Sequence, residues 1–85
     1  MDTTQLPAHD DYPTWFNDRV RAELKRLRLA LKLSAYALAI PRKLSAQTIR
    51  NIESGEHSPS LKTLALLSER LGTTADAVIV AAVKR

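Results

Sequence analysis

The sequence predicts a small all-α domain built from five helices. Apolar residues recur along the chain at spacings of three and four, which is the period of one face of an α-helix. Ser or Thr stands immediately before most of these stretches, where a helix begins, and Gly or Pro separates several of them. Eighty-five residues suffice for one hydrophobic core but not for two. We therefore expect a single all-α domain.

The first thirteen residues differ from the rest of the chain. They contain two Pro and three Asp and few apolar residues. A segment of this composition buries too little apolar surface to offset the entropy lost on folding. We predict a flexible acidic leader over residues 1–13 and a folded domain over residues 14–85.

The first predicted helix begins near Thr14, which follows Pro13 and is a suitable cap. Apolar residues then recur at spacings of 4, 4, 3 and 4 and form one inward stripe, which consists of Phe16, Val20, Leu24, Leu27 and Leu31. Trp15 lies beside this stripe in the first turn. It can anchor the end of the core or form a subunit contact, and we favour the core.

Two short helices follow, beginning at Ser34 and Ser45. Each Ser hydroxyl can accept a hydrogen bond from an unpaired backbone N–H at the start of a helix. Two isoleucines at a spacing of three give the second of these helices an inward face. Residues 40–44 leave room only for a turn. Residues 34–54 therefore predict a helix-turn-helix motif, whose second helix can lie in the major groove of DNA.

The fourth predicted helix begins after Pro59, with Ser60 as its cap. Leucines at helical spacing form its stripe, namely Leu61, Leu64, Leu67 and Leu71. Gly72 ends this helix and Gly55 ends the third one, because Gly adopts left-handed backbone at low cost.

The fifth predicted helix covers residues 74–84. Thr73 and Asp76 match a capping box, in which the carboxylate reaches back towards the cap. The apolar face of this helix consists of Ala75, Val78, Ile79, Ala82 and Val83. Val80 and Ala81 widen the face beyond what one core needs, and this favours a partner subunit over simple closure of the protomer's own core.

Positive charge is concentrated in one part of the chain. The whole protein carries a net charge of +4. Residues 1–18 carry four acids and no Lys or Arg, whereas residues 19–50 carry nine bases against Glu23 alone. Residues 51–85 are balanced. The basic region spans the first helix and the helix-turn-helix motif, as attraction to phosphates would require.

The outward face of the third helix is polar. Gln47, Thr48, Arg50 and Asn51 point away from the inward isoleucines. Gln and Asn can pair bidentately with the edge of adenine, and Arg can pair with guanine or a phosphate. A solvated surface helix also has a polar outer face, so this face taken alone leaves both interpretations open.

Several functional classes are disfavoured. The chain has no Cys, so disulfides and thiolate metal sites are excluded, and His9 and His57 lack ligand-like neighbours. No apolar run approaches the ~20 residues that span a bilayer, and the amino terminus has no signal-peptide pattern. Nothing resembles a nucleophile with its base or a phosphate loop. We expect a soluble cytoplasmic protein that is not an enzyme and uses no metal or cofactor.

The ordered set of motifs resembles the Cro/repressor-type (Xre-like) helix-turn-helix family over about residues 20–78. The matching elements are Leu27-Arg28, Ser34 with Leu38-Ala39, Ser45 with Ile49, Ile52-Glu53-Ser54-Gly55, Pro59-Ser60-Leu61, Thr63-Leu64 and Leu71-Gly72. Each element is weak alone, but the order and spacing of the set are specific. The resemblance implies a five-helix lambda-repressor-like fold that binds DNA.

The resemblance also implies a role for individual residues. The base-reading residues would be Ala46, Gln47, Thr48 and Asn51. The residues that contact the DNA backbone would be Ser34, Tyr36, Arg42, Lys43, Ser45 and Arg50. Arg28 and Glu53 stand where family members often place a buried ion pair between the first and third helices.

The turn departs from the family pattern. Pro41-Arg42-Lys43 replaces the usual apolar-Gly turn, and Ala35 replaces the Gln that touches the DNA backbone. Pro41 should end the second helix early or kink it, because Pro disfavours helical angles at the residue before it. We then expect Lys43 to make the turn that Gly normally makes.

The leading hypothesis is a sequence-specific dimeric repressor that binds double-stranded DNA at a palindromic operator. Its dimer interface would consist of Val78, Ile79, Ala82 and Val83. A DNA-binding antitoxin with a partner protein, or a restriction–modification controller that regulates its own operon, is an alternative in the same class. A protein-interaction module that does not bind DNA is the alternative from another class.

Overall fold

A computed structural model describes residues 11–84 and confirms the all-α prediction. It contains five helices: α1 (Tyr12–Ala30), α2 (Ala35–Leu38), α3 (Ala46–Ser54), α4 (Leu61–Arg70) and α5 (Ala75–Lys84). The described residues contain no β-strand, and only an isolated antiparallel bridge joins Ile40 and Leu44. α1 is the longest helix and packs against both α3 and α5.

Three serine caps were predicted, and all three are present. Ser34, Ser45 and Ser60 each accept a hydrogen bond from the backbone N–H three residues further on, at 3.0, 3.0 and 3.1 Å. These bonds pair amides that have no partner within their own helix. Gly55 and Gly72 follow α3 and α4 with φ of 88° and 77°, in the left-handed region as predicted.

α1 begins earlier than the sequence suggested, and its cap lies three residues before Thr14. Asp11 occupies the cap position without a side-chain hydrogen bond, and Pro13 lies in the first turn of the helix. Pro is tolerated there because its missing N–H would have no helical partner. Tyr12 and Pro13 therefore belong to α1 and not to the leader. The remainder of the predicted leader, residues 1–10, lies outside the described residues.

The cap of α5 is Thr74 and not Thr73. The N–H of Ala77 points to the Thr74 hydroxyl at 3.4 Å, whereas the N–H of Thr73 bonds to Ser68 O at 2.9 Å and closes α4. The backbone N–H of Thr73 is thus already bonded to the preceding helix. The Thr74 hydroxyl and nearby backbone amides lower the pKa of Asp76, since they bond to its charged carboxylate.

The helices enclose one hydrophobic core. Its buried residues are Val20, Leu24, Ala35, Leu38, Leu44, Ile49, Ile52, Leu64, Leu67, Leu71, Val78 and Ala82. Phe16 and Leu27 pack against this core, as the predicted stripe of α1 requires. Leu31, the last member of that stripe, is 51% exposed. The helix ends at Ala30, and the chain turns away through Lys32 at a φ of 58°.

The turn between α2 and α3 is tight and irregular. α2 ends at Leu38, before Pro41, and Ile40 exchanges two 2.8 Å backbone hydrogen bonds with Leu44. Within this loop the N–H of Lys43 bonds to the carbonyl of Ile40. The residue with left-handed backbone is Arg42, at a φ of 65°, and the prediction for Lys43 was wrong. Pro41 takes the second position of the turn, so the positive φ falls on the third.

An ion pair joins α1 to α3. Arg28 donates from Nε to Oε2 of Glu53 at 2.7 Å and from Nη2 to Oε1 at 2.8 Å. The two side chains are only 13% and 9% exposed. A third bond, from Nη1 to the carbonyl of Leu33 at 2.6 Å, holds the chain just after α1. The bonds to Glu53 raise the pKa of Arg28 further above its usual range, so it remains charged.

Three other arginines bind backbone carbonyls near helix carboxyl ends. Arg21 donates to Glu53 O in α3 at 3.0 Å, and Arg19 donates to Ala82 O in α5 at 3.0 Å. Arg70 reaches the carbonyls of α2, with its shorter bond, 3.0 Å, to Ala37 O. The last carbonyls of a helix lack partners and carry partial negative charge, which favours a cation there.

We expect Arg28→Ala to cost about 3–5 kcal/mol in the free energy of unfolding, because it leaves the Glu53 carboxylate buried without its partner. The double variant Arg28→Met/Glu53→Leu should recover most of this loss, since no charge remains to be desolvated. Urea denaturation measures both, with exposed Lys25→Ala as a control that changes stability by less than about 0.5 kcal/mol. A cost below about 1 kcal/mol for Arg28→Ala would contradict this account of the pair.

We expect Arg42→Gly to increase the free energy of unfolding by up to about 1 kcal/mol. Left-handed backbone costs a side-chain-bearing residue about 1–2 kcal/mol, which exceeds the entropic cost of a Gly. Lys43→Gly is the matched control, because its φ is negative and it should lose about 0.4–1 kcal/mol. Equal destabilisation of both variants in urea would show that the turn stores no strain at position 42.

Candidate nucleic-acid interface

The rotation of α3 about its axis is fixed by two buried residues. Ile49 is 1% exposed and Ile52 is 2% exposed, so this face lies in the core. Gln47, Thr48 and Arg50 consequently lie on the surface. Two further predicted base-reading residues, Ala46 and Asn51, are partly buried on the flanks of the same surface. All four predicted base-reading residues thus belong to one helix and are placed near its exposed side.

Both ends of α3 are fixed. At its start, the Ser45 hydroxyl caps the helix and the neighbouring Leu44 is buried. At its end, Glu53 is held through its carboxylate by Arg28 and through its carbonyl by Arg21. The polar surface of α3 therefore has a defined position relative to the core.

Gly55 leaves room for the Arg21 contact. A Cβ at position 55 would lie 3.1 Å from Arg21 Nε, closer than ordinary packing allows. The φ of 88° at this position also disfavours any residue with a side chain. The glycine after α3 thus serves both the helix end and the arginine that binds it.

Two side-chain hydrogen bonds organise the outer face of α3. Gln47 Nε2 donates to Asn51 Oδ1 at 2.9 Å, one helical turn away. The hydroxyls of Ser45 and Thr48 lie 2.8 Å apart. The Thr48 hydroxyl is therefore engaged with the cap. The methyl group of the same Thr48 side chain can contact the methyl of thymine.

An open groove of about 770 Å³ lies between α2 and the start of α3. It is lined by Tyr36, Arg42, Lys43 and Ser45, among others. Tyr36 is 81% exposed, and both cations of the turn are exposed. Four of the residues predicted to contact the DNA backbone are therefore next to the predicted base-reading side chains: Tyr36, Arg42, Lys43 and Ser45.

The structure changes the interpretation of the basic region. Four of its nine cations, Arg19, Arg21, Arg26 and Arg28, hold backbone carbonyls or carboxylates within the protein. The positive charge of α1 is therefore largely structural. Arg42, Lys43 and Arg50 are exposed and make no ion pair with the described residues. Lys25 and Lys32 are also exposed and unpaired among the described residues, so three of the five such cations in the basic region lie in the turn and on α3.

A buried carboxylate in α1 was not recognised from the sequence. Glu23 is 3% exposed and accepts bonds of 3.0 and 2.6 Å from Arg26. Its spacing of three from Arg26 is visible in the sequence, but the same spacing is common on solvated faces. Arg21 and Arg70 carried no recognisable signal either, because a bond to a distant backbone carbonyl leaves no pattern in the chain.

Two residues of the predicted dimer interface belong to the protomer's own core. Val78 is 1% exposed and Ala82 is 2% exposed, since α5 packs this face against α1 and α4. They are not accessible to a second copy, and that part of the prediction needs correction. Ile79 and Val83 are partly buried, and Val80, which was not assigned to the interface, is 50% exposed.

Two further observations concern other kinds of site. None of the helices that the structure describes is long and apolar enough to cross a membrane. Residues 11–84 contain no group of three or more His, Asp or Glu placed to hold a metal ion.

Comparison with known protein families supports a helix-turn-helix assignment. A sequence model of a helix-turn-helix family matches residues 24–78, from the middle of α1 into α5. No curated protein and no solved structure matches the chain significantly. The family match covers more than half of the chain and includes the capped helices and the turn. The protein is a member of the Xre/Cro-like helix-turn-helix family of DNA-binding regulators, with an all-α fold of the lambda-repressor type.

Proposed function

We propose that the protein is a dimeric, sequence-specific repressor that binds double-stranded DNA through α3 and occupies a palindromic operator. The observation that carries this proposal is the outer side of α3, where two linked amides and Arg50 lie on a helix fixed at both ends. A major groove about 12 Å wide admits one α-helix.

In this complex the side chains have separate roles. Gln47 and Asn51 read base edges, with Ala46 and the methyl group of Thr48 beside them. Arg50 binds a phosphate or a flanking base. The contacts with base edges specify the sequence, whereas the contacts with phosphates set the register of the protein on the duplex.

The phosphate contacts come from elements next to α3. Arg42 and Lys43 in the turn and Tyr36 in α2 line the open groove between α2 and α3, and Ser34 caps α2. Ser45 adds a contact at the start of α3. Four arginines of the basic region bind acceptor groups of the protein itself. We therefore assign the electrostatic attraction of DNA mainly to the cations of the turn and to Arg50.

The dimer uses the part of α5 that faces outward. Ile79, Val80 and Val83 are neighbours at helical spacing, and all keep some exposed surface. Twofold pairing through this strip would repeat the DNA-binding surface, as binding to two operator half-sites requires. Occupying an operator in this way blocks polymerase, which makes repression the simplest regulatory outcome.

We expect DNA affinity to fall steeply with salt, with a slope of about −0.9 for each phosphate contacted on a plot of log K against log salt concentration. Lys43→Ala should reduce that slope by about one per protomer and weaken binding to all sequences equally. Fluorescence anisotropy with a selected duplex and a random duplex measures this, and Lys25→Ala on α1 is the matched control. A flat salt dependence would favour a protein-interaction module that does not bind DNA.

We expect Val80→Lys to convert the dimer to monomers, because it places a charge in the apolar strip of α5 while the side chain is half-exposed in the protomer. Sedimentation equilibrium measures the change. Leu61→Lys, at an apolar position of α4 that is 84% exposed, is the matched control and should leave the dimer intact. Monomers from the Leu61 variant and dimers from the Val80 variant would place the interface on α4.

A further inference from the structure

The amides of Gln47 and Asn51 are already bonded to each other in the protein without DNA. Nε2 of Gln47 donates to Oδ1 of Asn51 at 2.9 Å across one turn of α3. We propose that these residues read DNA as one linked unit, which selects adenine beside a base with acceptor groups in the major groove. This inference rests on the proposed function and specifies which bases that function recognises.

The bond determines what each amide still offers to a base. A primary amide has two N–H donors and one carbonyl oxygen. Gln47 uses one donor in the bond and retains one donor and the Oε1 acceptor. Asn51 has one lone pair of its oxygen engaged and retains both Nδ2 donors. The unit therefore presents a donor and an acceptor from position 47 and chiefly donors from position 51.

These groups match different base edges. In the major groove adenine offers the N7 acceptor and the N6 amino donor, which fit the donor and acceptor left on Gln47. Guanine offers the O6 and N7 acceptors, and thymine offers O4, which fit the donors left on Asn51. Cytosine presents an amino donor there and faces the Asn51 donors unfavourably. The preferred step is thus adenine next to a base with a major-groove acceptor, with guanine favoured because it has two such groups.

Linking the two amides also fixes their orientation before DNA arrives. The cap at Ser45 and the bonds of Arg21 and Arg28 to Glu53 hold α3 itself. The bond between Gln47 and Asn51 then removes rotamer freedom that two independent side chains would lose only on binding. Removing either amide releases the other, so the effect of a substitution at one position extends to both bases.

The test begins with selection of bound duplexes from a random pool by the full-length wild type, followed by the variants Gln47→Ala, Asn51→Ala and the double variant. Each single substitution should weaken binding to the preferred site by about 5- to 150-fold, and the double should weaken it little further. Each single variant should also lose its preference at both base positions. Thermal unfolding should be unchanged, since neither side chain belongs to the core.

Asn51→Asp is the conservative variant. The new carboxylate still accepts the bond from Gln47 Nε2, so the link persists, but position 51 now presents acceptors in place of donors. Overall affinity should fall because of the added negative charge. Preference for adenine at the base read by Gln47 should remain, while the neighbouring preference should shift to cytosine, whose amino group is a donor.

The outcomes are distinguishable. The linked unit would be overturned if the affinity losses of the two single variants multiply in the double variant. It would also be overturned if each single variant loses its sequence preference at one base only. Both results would leave DNA binding by α3 intact. Retention of guanine or thymine by the Asn51→Asp variant would overturn the assignment of donors to position 51. Failure of the wild type to enrich any sequence would overturn the proposed function, and the linked unit with it.

Discussion

Glu53 holds the carboxyl end of α3, the proposed recognition helix, against the rest of the protein. Arg28 binds both carboxylate oxygens, and Arg21 binds the carbonyl of the same residue. The ion pair is largely shielded from water, so its geometry matters more than that of an exposed pair. In the proposed complex α3 enters a groove about as wide as itself, and such a fit tolerates little displacement. The contacts at Glu53 supply this positional constraint.

The arginine contacts of α1 also change how the positive charge of this helix is interpreted. Most of the positive charge in α1 stabilises helix ends and carboxylates, and the cations of the turn and α3 remain exposed. A guanidinium suits the first task, because its planar donors can bind several oxygens at once. Net charge alone therefore overstates the electrostatic contribution of α1 to DNA binding.

The turn shows how one proline changes a familiar motif. Pro41 leaves α2 with only four residues and places Arg42 in left-handed backbone that a glycine would adopt more easily. The bridge between Ile40 and Leu44 holds this geometry. As a result, two cations project beside the start of α3, at the edge of the open groove. A local strain thus coincides with the surface assigned to phosphate binding.

Much of this architecture could be predicted from local chemistry. The three serine caps, the glycines after α3 and α4, and the inward isoleucines of α3 act within one turn of helix, so their patterns are visible in the chain. Errors occurred where two neighbouring residues could serve equally well, as at Thr73 and Thr74 or at Arg42 and Lys43. At the threonines the choice depended on the bond that Thr73 already makes to α4, and in the turn it depended on the position of Pro41.

The sequence by itself determined the five helices, the serine caps of α2, α3 and α4, the helix-turn-helix spacing and the polar character of the outer face of α3. Only the tertiary structure decided which cations remain exposed and which face of α5 is buried. The physical reason is distance along the chain. Arg19 and Ala82 meet across 63 residues, and such a contact follows from packing rather than from local pattern.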